Sequence, residues 1–397
     1  MSESPTATGL VRVYWTAFIG LFFDYYDLYL FIYLEKTLAA EFALGATASN
    51  WLQFTGLAGV GAGALAFGYL ADRFGRGRLM LAVFAVYALG IAGLSLAWSF
   101  PSLLCFRLVS SLALGAEWGI SHAYLAERVD GPRRYRLASL LQFSLLGGLL
   151  AALASRYMLP VSGWRVLFAA SVVPVAVLSL VRWRALSGCE TELLQPTDRR
   201  KALSPTASGD GFVAALQQNA GGFARGLLLA SLTIASGTMN VFIAKDLPQS
   251  PFYTVLFWGA VAPGMLLGSG LVARLGVGRT LRLYAAALLL LALGCWLTDW
   301  SGRKLLFALG LALLNGIPFG LMGAFFNELF SAYRTMFSGA AYNLGRILAG
   351  SAPWLVGILG LKTGDNYFLF TLSLAGGVLL LAFNLGDSGT APRKQAG

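Results

Sequence analysis

Long apolar runs of about 20 residues, separated by short polar segments, make up most of the chain. A helix of about 20 residues is long enough to cross the hydrocarbon core of a bilayer. The runs therefore predict twelve membrane-spanning helices, at residues 13–35, 49–71, 79–97, 102–125, 137–157, 166–182, 226–244, 252–273, 281–298, 305–328, 337–361 and 367–386. The short alternating segments of an outer-membrane barrel are absent from the sequence, so we expect an all-α membrane protein.

The sequence repeats itself at a fixed spacing. The segment 70–78 reads Leu-Ala-Asp-Arg-Phe-Gly-Arg-Gly-Arg and returns 201 residues later, at 271–279, as Leu-Val-Ala-Arg-Leu-Gly-Val-Gly-Arg. The same spacing joins Glu127 to Glu328 and Arg133 to Arg334. One spacing for two separated segments predicts two six-helix repeats, an organisation common among membrane transporters.

A polar segment divides the predicted spans into two groups of six. Residues 183–225 are rich in charged residues, Ser, Thr, Pro and Gly, which is typical of a hydrated linker. We therefore expect an N-terminal bundle at 1–182, a cytoplasmic linker at 183–225, and a C-terminal bundle with a short cytoplasmic tail at 226–397.

Composition and charge narrow the class of protein. The chain is 57% hydrophobic and 12% charged, with a mean hydropathy of +0.69, which excludes a soluble domain. The net charge of +11 is unevenly placed, since loops on one predicted side hold 20 of the 29 Lys and Arg and the opposite loops hold seven. This asymmetry predicts an inner-membrane protein with both termini in the cytoplasm, and it explains the charge without a nucleic-acid partner.

Several kinds of chemistry have no signature in the sequence. The three cysteines show no metal-ligand spacing, and no glycine-rich phosphate loop is followed by Lys and Ser or Thr. Nor is there a recognisable nucleophile–base arrangement. We expect no metal, no cofactor and no enzymatic activity.

The repeated segment carries a family resemblance. Residues 68–78 resemble the signature loop of the major facilitator superfamily, between its second and third spans. Three further motifs, at 24–27 (Asp-Tyr-Tyr-Asp), 115–119 (Gly-Ala-Glu-Trp-Gly) and 342–346 (Tyr-Asn-Leu-Gly-Arg), resemble the proton-coupled metabolite, aromatic-acid and sialate symporters. The resemblance implies a monomeric secondary transporter that works by alternating access.

We interpret the signature loop and its repeat as conformational parts. Asp72 lies where it can cap a neighbouring helix N-terminus and pair with an arginine. Ala273 replaces this acid in the repeat, so the second contact should be weaker. The predicted gating residues are Gly68, Asp72, Arg73, Gly75, Arg76, Glu127, Arg133, Arg274, Glu328 and Arg334.

Charged residues inside the spans are the candidates for proton coupling, because each costs about 2.5–3.5 kcal/mol to insert. Asp27 and Arg107 lie at similar depth, which predicts an ion pair that either couples protons or is a static structural contact. Asp24 is a helper or second site, and Glu117 is a second protonation site or a hydrogen-bonding group within the bundle. His122 is either a polar interface residue or a proton relay.

Arg346 is the candidate substrate ligand. A guanidinium near mid-depth favours a planar carboxylate held by two parallel hydrogen bonds. Neutral polar contacts would come from Asn343, Asn315, Asn240 and Tyr26. Alternatively, Arg346 pairs with Glu328 or with helix-end carbonyls.

The sequence thus favours proton-coupled symport of a small organic anion or zwitterion, with protons and the lipid bilayer as the other partners. The alternatives are an exchanger or efflux transporter of the same fold, and a membrane sensor or assembly factor that does not transport.

Overall fold

Every regular element that the structure describes is a helix. The structure is a computed structural model, and it describes residues 7–126, 129, 133–187, 209–245, 251–297, 304–330, 332–350, 374–379, 381 and 382. The helices are α1 (Ala7–Glu41), α2 (Ala46–Phe74), α3 (Arg76–Ser95), α4 (Phe100–Ala126), α5 (Arg133–Gln142), α6 (Gly147–Tyr157), α7 (Leu159–Ser187), α8 (Gly209–Lys245), α9 (Pro251–Leu275), α10 (Val277–Trp296), α11 (Lys304–Leu329) and α12 (Arg334–Gly350). A 3₁₀ helix, Phe143–Leu146, joins α5 to α6.

Eight candidate spans within the described residues are long and apolar enough to cross a membrane. They are Tyr14–Glu41, Thr47–Phe74, Arg76–Ser95, Phe100–Ala126, Arg133–Tyr157, Leu159–Val181, Val277–Gly294 and Leu305–Phe326. The predicted seventh and eighth spans fall on α8 and α9, which are helical. The eleventh span is described only as far as Gly350, and most of the twelfth lies outside the described residues, as do 188–208 of the linker.

The chain forms two compact units. One comprises Met1–Val129, Ser144–Phe223 and Leu329–Asn343, and the other comprises Asp130–Phe143, Ala224–Glu328 and Leu344–Gly397. The 3₁₀ segment therefore marks a change of unit within the fifth span. These bounds differ from a simple division at the linker. α5 belongs to the second unit although it precedes the linker, and the start of α12 belongs to the first unit although it follows the linker.

Within the first unit, glycines bring the backbones of α2 and α4 into contact. A Cβ atom on Gly63 would lie 1.9 Å from the carbonyl oxygen of Leu112, and one on Gly115 would lie 1.9 Å from that of Val60. Small residues allow such close approach between membrane helices. Any larger side chain at these two positions would push the helices apart.

The second unit has the same pair of contacts between α9 and α11. A Cβ on Gly264 would lie 2.0 Å from the oxygen of Leu313, and one on Gly316 would lie 2.2 Å from that of Val261. Each of these four residues lies 201 positions after the residue that makes the same contact in the first unit, which is the spacing of the repeated segments. The internal repeat is therefore present in packing as well as in sequence.

A glycine in a left-handed conformation connects helices at equivalent places in the two units. Gly75, between α2 and α3, has a φ of 97°, and Gly276, between α9 and α10, has a φ of 80°. A Cβ on Gly75 would meet nothing within 4 Å, so the requirement at that turn is conformational and not steric. This requirement explains the shared glycine of the two repeated segments.

Replacement of Gly75 by Ala should lower the free energy of unfolding by about 1–3 kcal/mol, since a non-glycine residue is strained at this φ. Gly45→Ala is the matched control, because Gly45 also has open space around it but has a φ of −71°. Thermal unfolding of the purified variants in detergent, followed by tryptophan fluorescence, measures the difference. Equal melting temperatures for the two variants would contradict the conformational explanation.

Candidate functional site

Asp27 is buried in the first unit and is held by two neutral hydroxyl groups. Its side chain, on α1, belongs to a residue that is only 3% exposed. Ser171 on α7 donates a hydrogen bond of 2.9 Å to Oδ1, and Tyr87 on α3 donates to Oδ2. A membrane-buried acid therefore has partners that carry no charge of their own.

Arg107 does not form the predicted ion pair with Asp27. The two groups lie close enough to interact electrostatically. However, the guanidinium of Arg107 lies over the ring of Phe31, with Cζ 3.7 Å from the ring centroid, and it packs against Gly56 on α2. A long side chain at this position has a choice of partners, and an aromatic face attracts a cation.

The other two candidates for proton coupling are also buried in the first unit. Asp24 is 5% exposed and Glu117 is 1% exposed. Ser121, one turn along α4, donates a 2.8 Å hydrogen bond to Glu117. The charges of Asp24 and Glu117 both act on Tyr87, so these acids and Asp27 share one electrostatic neighbourhood.

Stacked rings, which we call the aromatic column, link α4 and α12. The rings of Trp118 and Tyr342 are nearly parallel, 7° apart, with centroids separated by 4.0 Å. His122 stacks on Trp118 at 4.4 Å, and the hydroxyls of Tyr342 and Tyr25 lie 3.1 Å apart. His122 thus lies in a helix-packing position, where its Nδ1 is 3.0 Å from the carbonyl oxygen of Trp118.

The candidate substrate ligands of α1, α8 and α12 have different surroundings. Asn343 donates to the carbonyl oxygens of Gly115 and Gly339, which ties α12 to α4. Arg346 is partly buried, one helical turn beyond Tyr342. Tyr26 lies in the apolar core of the first unit. Asn240 is on α8, but its side chain is outside the described residues.

Asn315, the remaining candidate ligand, lies at the centre of a polar cluster in the second unit. Its Oδ1 accepts hydrogen bonds from Ser236 and from Tyr284, the latter at 3.2 Å. Its Nδ2 is buried and has no partner among the described residues. This amide nitrogen is a donor that a substrate could engage.

Sequence reasoning missed a polar position in the fifth span. Gln142 is 1% exposed, and neither its Oε1 nor its Nε2 has a partner in the described part of the chain. It is the last residue of α5, where the helix gives way to the 3₁₀ segment. A lone glutamine in an apolar run was the available signal. Tyr87 and Ser171 gave no comparable signal.

Asp72 is bound to the N-terminus of α12. Its carboxylate accepts the backbone N–H groups of Thr335 and Met336 at 3.2 and 3.0 Å, and Arg76 donates to it at 3.0 Å. Arg76 also donates to the hydroxyl of Thr335 at 2.6 Å. Gly68 permits the approach, since a Cβ there would lie 2.8 Å from Cα of Met336.

The other predicted gating residues are less closely connected. Glu328 accepts a hydrogen bond from Tyr135 and has a 3.7 Å ion-pair contact with Arg134. Arg334 donates to the carbonyl oxygen of Phe330, one turn before it. Three further arginines, Arg73, Arg133 and Arg274, are exposed, and Glu127 lies outside the described residues.

Comparison with known proteins identifies the family of this chain. A family model described as Major Facilitator Superfamily matches residues 17–353. The cis,cis-muconate transport protein of Acinetobacter baylyi is 28% identical over 359 residues, which cover 86% of each chain. The 3-(3-hydroxy-phenyl)propionate transporter of Escherichia coli is 29% identical over 339 residues, covering 82% of this chain and 81% of the relative.

A solved structure shows the same fold. The proton:xylose symporter XylE, bound to 6-bromo-6-deoxy-D-glucose, matches with a TM-score of 0.73 at 17% identity, covering 96% of this chain and 95% of that one. The all-α class with twelve spans in two six-helix repeats is thereby confirmed.

The fold, the family model and the named relatives define a polytopic membrane transporter and not an enzyme. The chain belongs to the Major Facilitator Superfamily, and its relatives lie in the metabolite and aromatic-acid branch that the motifs indicated.

Replacement of Asp72 by Asn should loosen the start of α12. Each hydrogen bond from a backbone N–H group to a charged carboxylate contributes about 1.5–3 kcal/mol. Because Asn carries no charge, we expect these bonds to weaken and amide exchange of Thr335 and Met336 to rise about tenfold. Hydrogen–deuterium exchange with mass spectrometry on purified protein measures this rate. Arg73→Gln, an exposed neighbour, is the control. Unchanged exchange in Asp72→Asn would show that another contact holds the helix.

Proposed function

We propose that this transporter moves a small organic anion or zwitterion across the cytoplasmic membrane together with protons, by alternating access. The observation that carries the proposal is Asp27, an acid buried among membrane spans whose hydrogen-bond donors are neutral hydroxyls. Keeping a carboxylate ionised inside the membrane costs free energy, and taking up a proton removes that cost. Proton uptake and release at Asp27 would therefore accompany each transport cycle.

Similarity to named relatives supports a carboxylate as substrate. Two of them are named for cis,cis-muconate and 3-(3-hydroxy-phenyl)propionate. Both compounds combine a conjugated or aromatic system with a carboxylate. We propose that this chain carries acids of the same kind.

The arrangement on α12 is suited to such a molecule. The ring of Tyr342 stacks on Trp118 with the centroids 4.0 Å apart. A planar conjugated substrate can stack on an aromatic ring in the same way. Arg346 lies four residues further along, on the same helix face, and its planar fork matches a carboxylate. We propose Arg346 as the group that selects negative charge, with Nδ2 of Asn315, which has no partner in the part of the chain that the structure describes, as a neutral contact.

The positive-inside asymmetry supports a topology with both termini and the linker in the cytoplasm. We propose a monomer with bundles at 1–182 and 226–397, a linker at 183–225, and gating at the signature loop through Asp72 and Arg76.

Uptake in proteoliposomes tests the proposed function. With an inward proton gradient, the protein should accumulate radiolabelled cis,cis-muconate or 3-(3-hydroxyphenyl)propionate above equilibrium, and accumulation should stop when the gradient is collapsed. Asp27→Asn should abolish accumulation, because the buried site can no longer exchange a proton, whereas Glu41→Gln should not, because Glu41 is an exposed acid on the same helix.

Other outcomes of this experiment would reject the proposal. Accumulation without the gradient, or by Asp27→Asn as well as by the parent, would exclude Asp27 as the coupling group. Movement only in exchange for the same acid on the other side would indicate an exchanger. No movement of any of a broad panel of organic acids would favour a sensor.

Charge selection by Arg346 gives a second prediction. Arg346→Lys keeps the charge but loses the fork, so we expect binding of the accumulated acid to weaken about tenfold, and Arg346→Gln should weaken it about a hundredfold. Calorimetry on the purified protein measures binding, with Arg225→Gln, an exposed arginine on α8, as control. If Arg346→Gln binds as tightly as the parent, Arg346 does not select the substrate.

A further inference from the structure

Two hydroxyl groups beside Asp27 each have two acceptors within reach. The Tyr87 hydroxyl lies 2.9 Å from the carbonyl oxygen of Phe23 and also hydrogen-bonds Oδ2 of Asp27. The Ser171 hydroxyl lies 2.9 Å from Oδ1 of Asp27 and 2.8 Å from the carbonyl oxygen of Phe168. Because a hydroxyl has one proton, neither group can donate fully to both of its acceptors at once.

When Asp27 is ionised, its carboxylate can only accept hydrogen bonds. Tyr87 and Ser171 then both direct their protons at it, which gives two charge-assisted bonds. The carbonyl oxygens of Phe23 and Phe168 lose little, because each is a backbone acceptor within a helix.

When Asp27 takes up a proton from water, the new O–H group needs an acceptor. A hydroxyl oxygen that had been donating can accept this bond by turning its own proton onto its backbone carbonyl. For Tyr87 that carbonyl belongs to Phe23, one turn before Asp27 on α1, and for Ser171 it belongs to Phe168. Only O–H rotations are required, and no helix has to move.

We propose that Tyr87 and Ser171 are positioning residues that form a reversible hydroxyl pair, able to hydrogen-bond Asp27 in both its ionised and its protonated state. An arginine in their place could not accept the hydrogen bond of the protonated acid's O–H, since a guanidinium has donors and no acceptor. This inference rests on the proposed proton coupling at Asp27, and it identifies how the buried acid changes state without losing its partners.

Among the described residues, the ionisable groups that interact electrostatically with Asp27 or Tyr87 lie on two helices. Tyr26 and Asp24 lie with Asp27 on α1, and Arg107 and Glu117 lie on α4. They influence the pH at which Asp27 changes state. The hydrogen bonds that differ between the two states are those of Tyr87 and Ser171.

Infrared difference spectroscopy tests the proposal on substrate-free protein in lipid. Acidification of the parent should produce a carboxylic-acid C=O band that is missing in Asp27→Asn, together with a change in the tyrosine C–O band that is also missing in Asp27→Asn. In Tyr87→Phe/Ser171→Ala the C=O band should move to higher wavenumber, as expected for an acid that has lost its hydrogen bonds.

Conservative controls keep this test interpretable. Tyr33→Phe alters an exposed tyrosine of α1, and Ser179→Ala removes a hydroxyl of α7 that donates only to the carbonyl oxygen of Val175. Both should leave the two bands unchanged. The single variants Tyr87→Phe and Ser171→Ala provide smaller shifts should the double variant not fold. An Asp27 band that none of these hydroxyl deletions moves, or the lack of any such band throughout the pH range of stability, would overturn the proposal.

A transport measurement separates this inference from the proposed function. With the acid that the parent accumulates, the double variant should lose at least about tenfold in uphill accumulation, whereas the control Ser179→Ala should accumulate it as the parent does. If the parent accumulates no acid but the spectral changes are seen, the hydroxyl pair stands and the proposed function fails. If the parent accumulates an acid and the double variant accumulates it equally well, the hydroxyl pair fails.

Discussion

Direct backbone contact between helices is the constraint on which the rest of the structure depends. At Gly63 and Gly115, α2 and α4 meet with no side chain between them, so neither helix can rotate or shift without a collision. α4 also carries Glu117 and Trp118, within one turn of Gly115, and Arg107, about two turns before it, so this contact fixes where all three lie. In the second unit, Gly316 makes the equivalent backbone contact between α9 and α11, and it is the residue next to Asn315.

Buried charges in the first unit are accommodated largely by neutral groups. Asp27 receives hydrogen bonds from hydroxyls, Arg107 lies on an aromatic face, and Glu117 accepts a hydroxyl donor one turn along its own helix. Neutral partners lower the cost of burial without neutralising the charge. A group in such surroundings keeps its capacity to exchange a proton or to respond to an approaching ion.

Sequence reasoning succeeded where the signal was local or repeated. Apolar run length located the spans, and the 201-residue spacing revealed the two repeats and the segments that contain the turn glycines Gly75 and Gly276. It also placed Asp72 at a helix N-terminus. These features follow from hydrophobicity, from backbone geometry and from motifs contained in one segment.

The partners of the buried acids could not be read in the same way. Tyr87 and Ser171 reach Asp27 from helices 60 and 144 residues away. The sequence shows that a tyrosine or serine lies in a span, but it does not show which way the side chain points around the helix axis or which group it contacts. For the same reason, equal depth did not establish which group Arg107 would contact.

The contact of Asp72 has a consequence for how this fold tolerates sequence change. Its partners on α12 are main-chain N–H groups, which every residue except proline supplies. Neither Thr335 nor Met336 has to be retained for the carboxylate to find its donors. The contact therefore depends on the side chains of Asp72 and Arg76 on one side and, on the other, mainly on the backbone, so a change at Met336 leaves the donors of the carboxylate in place.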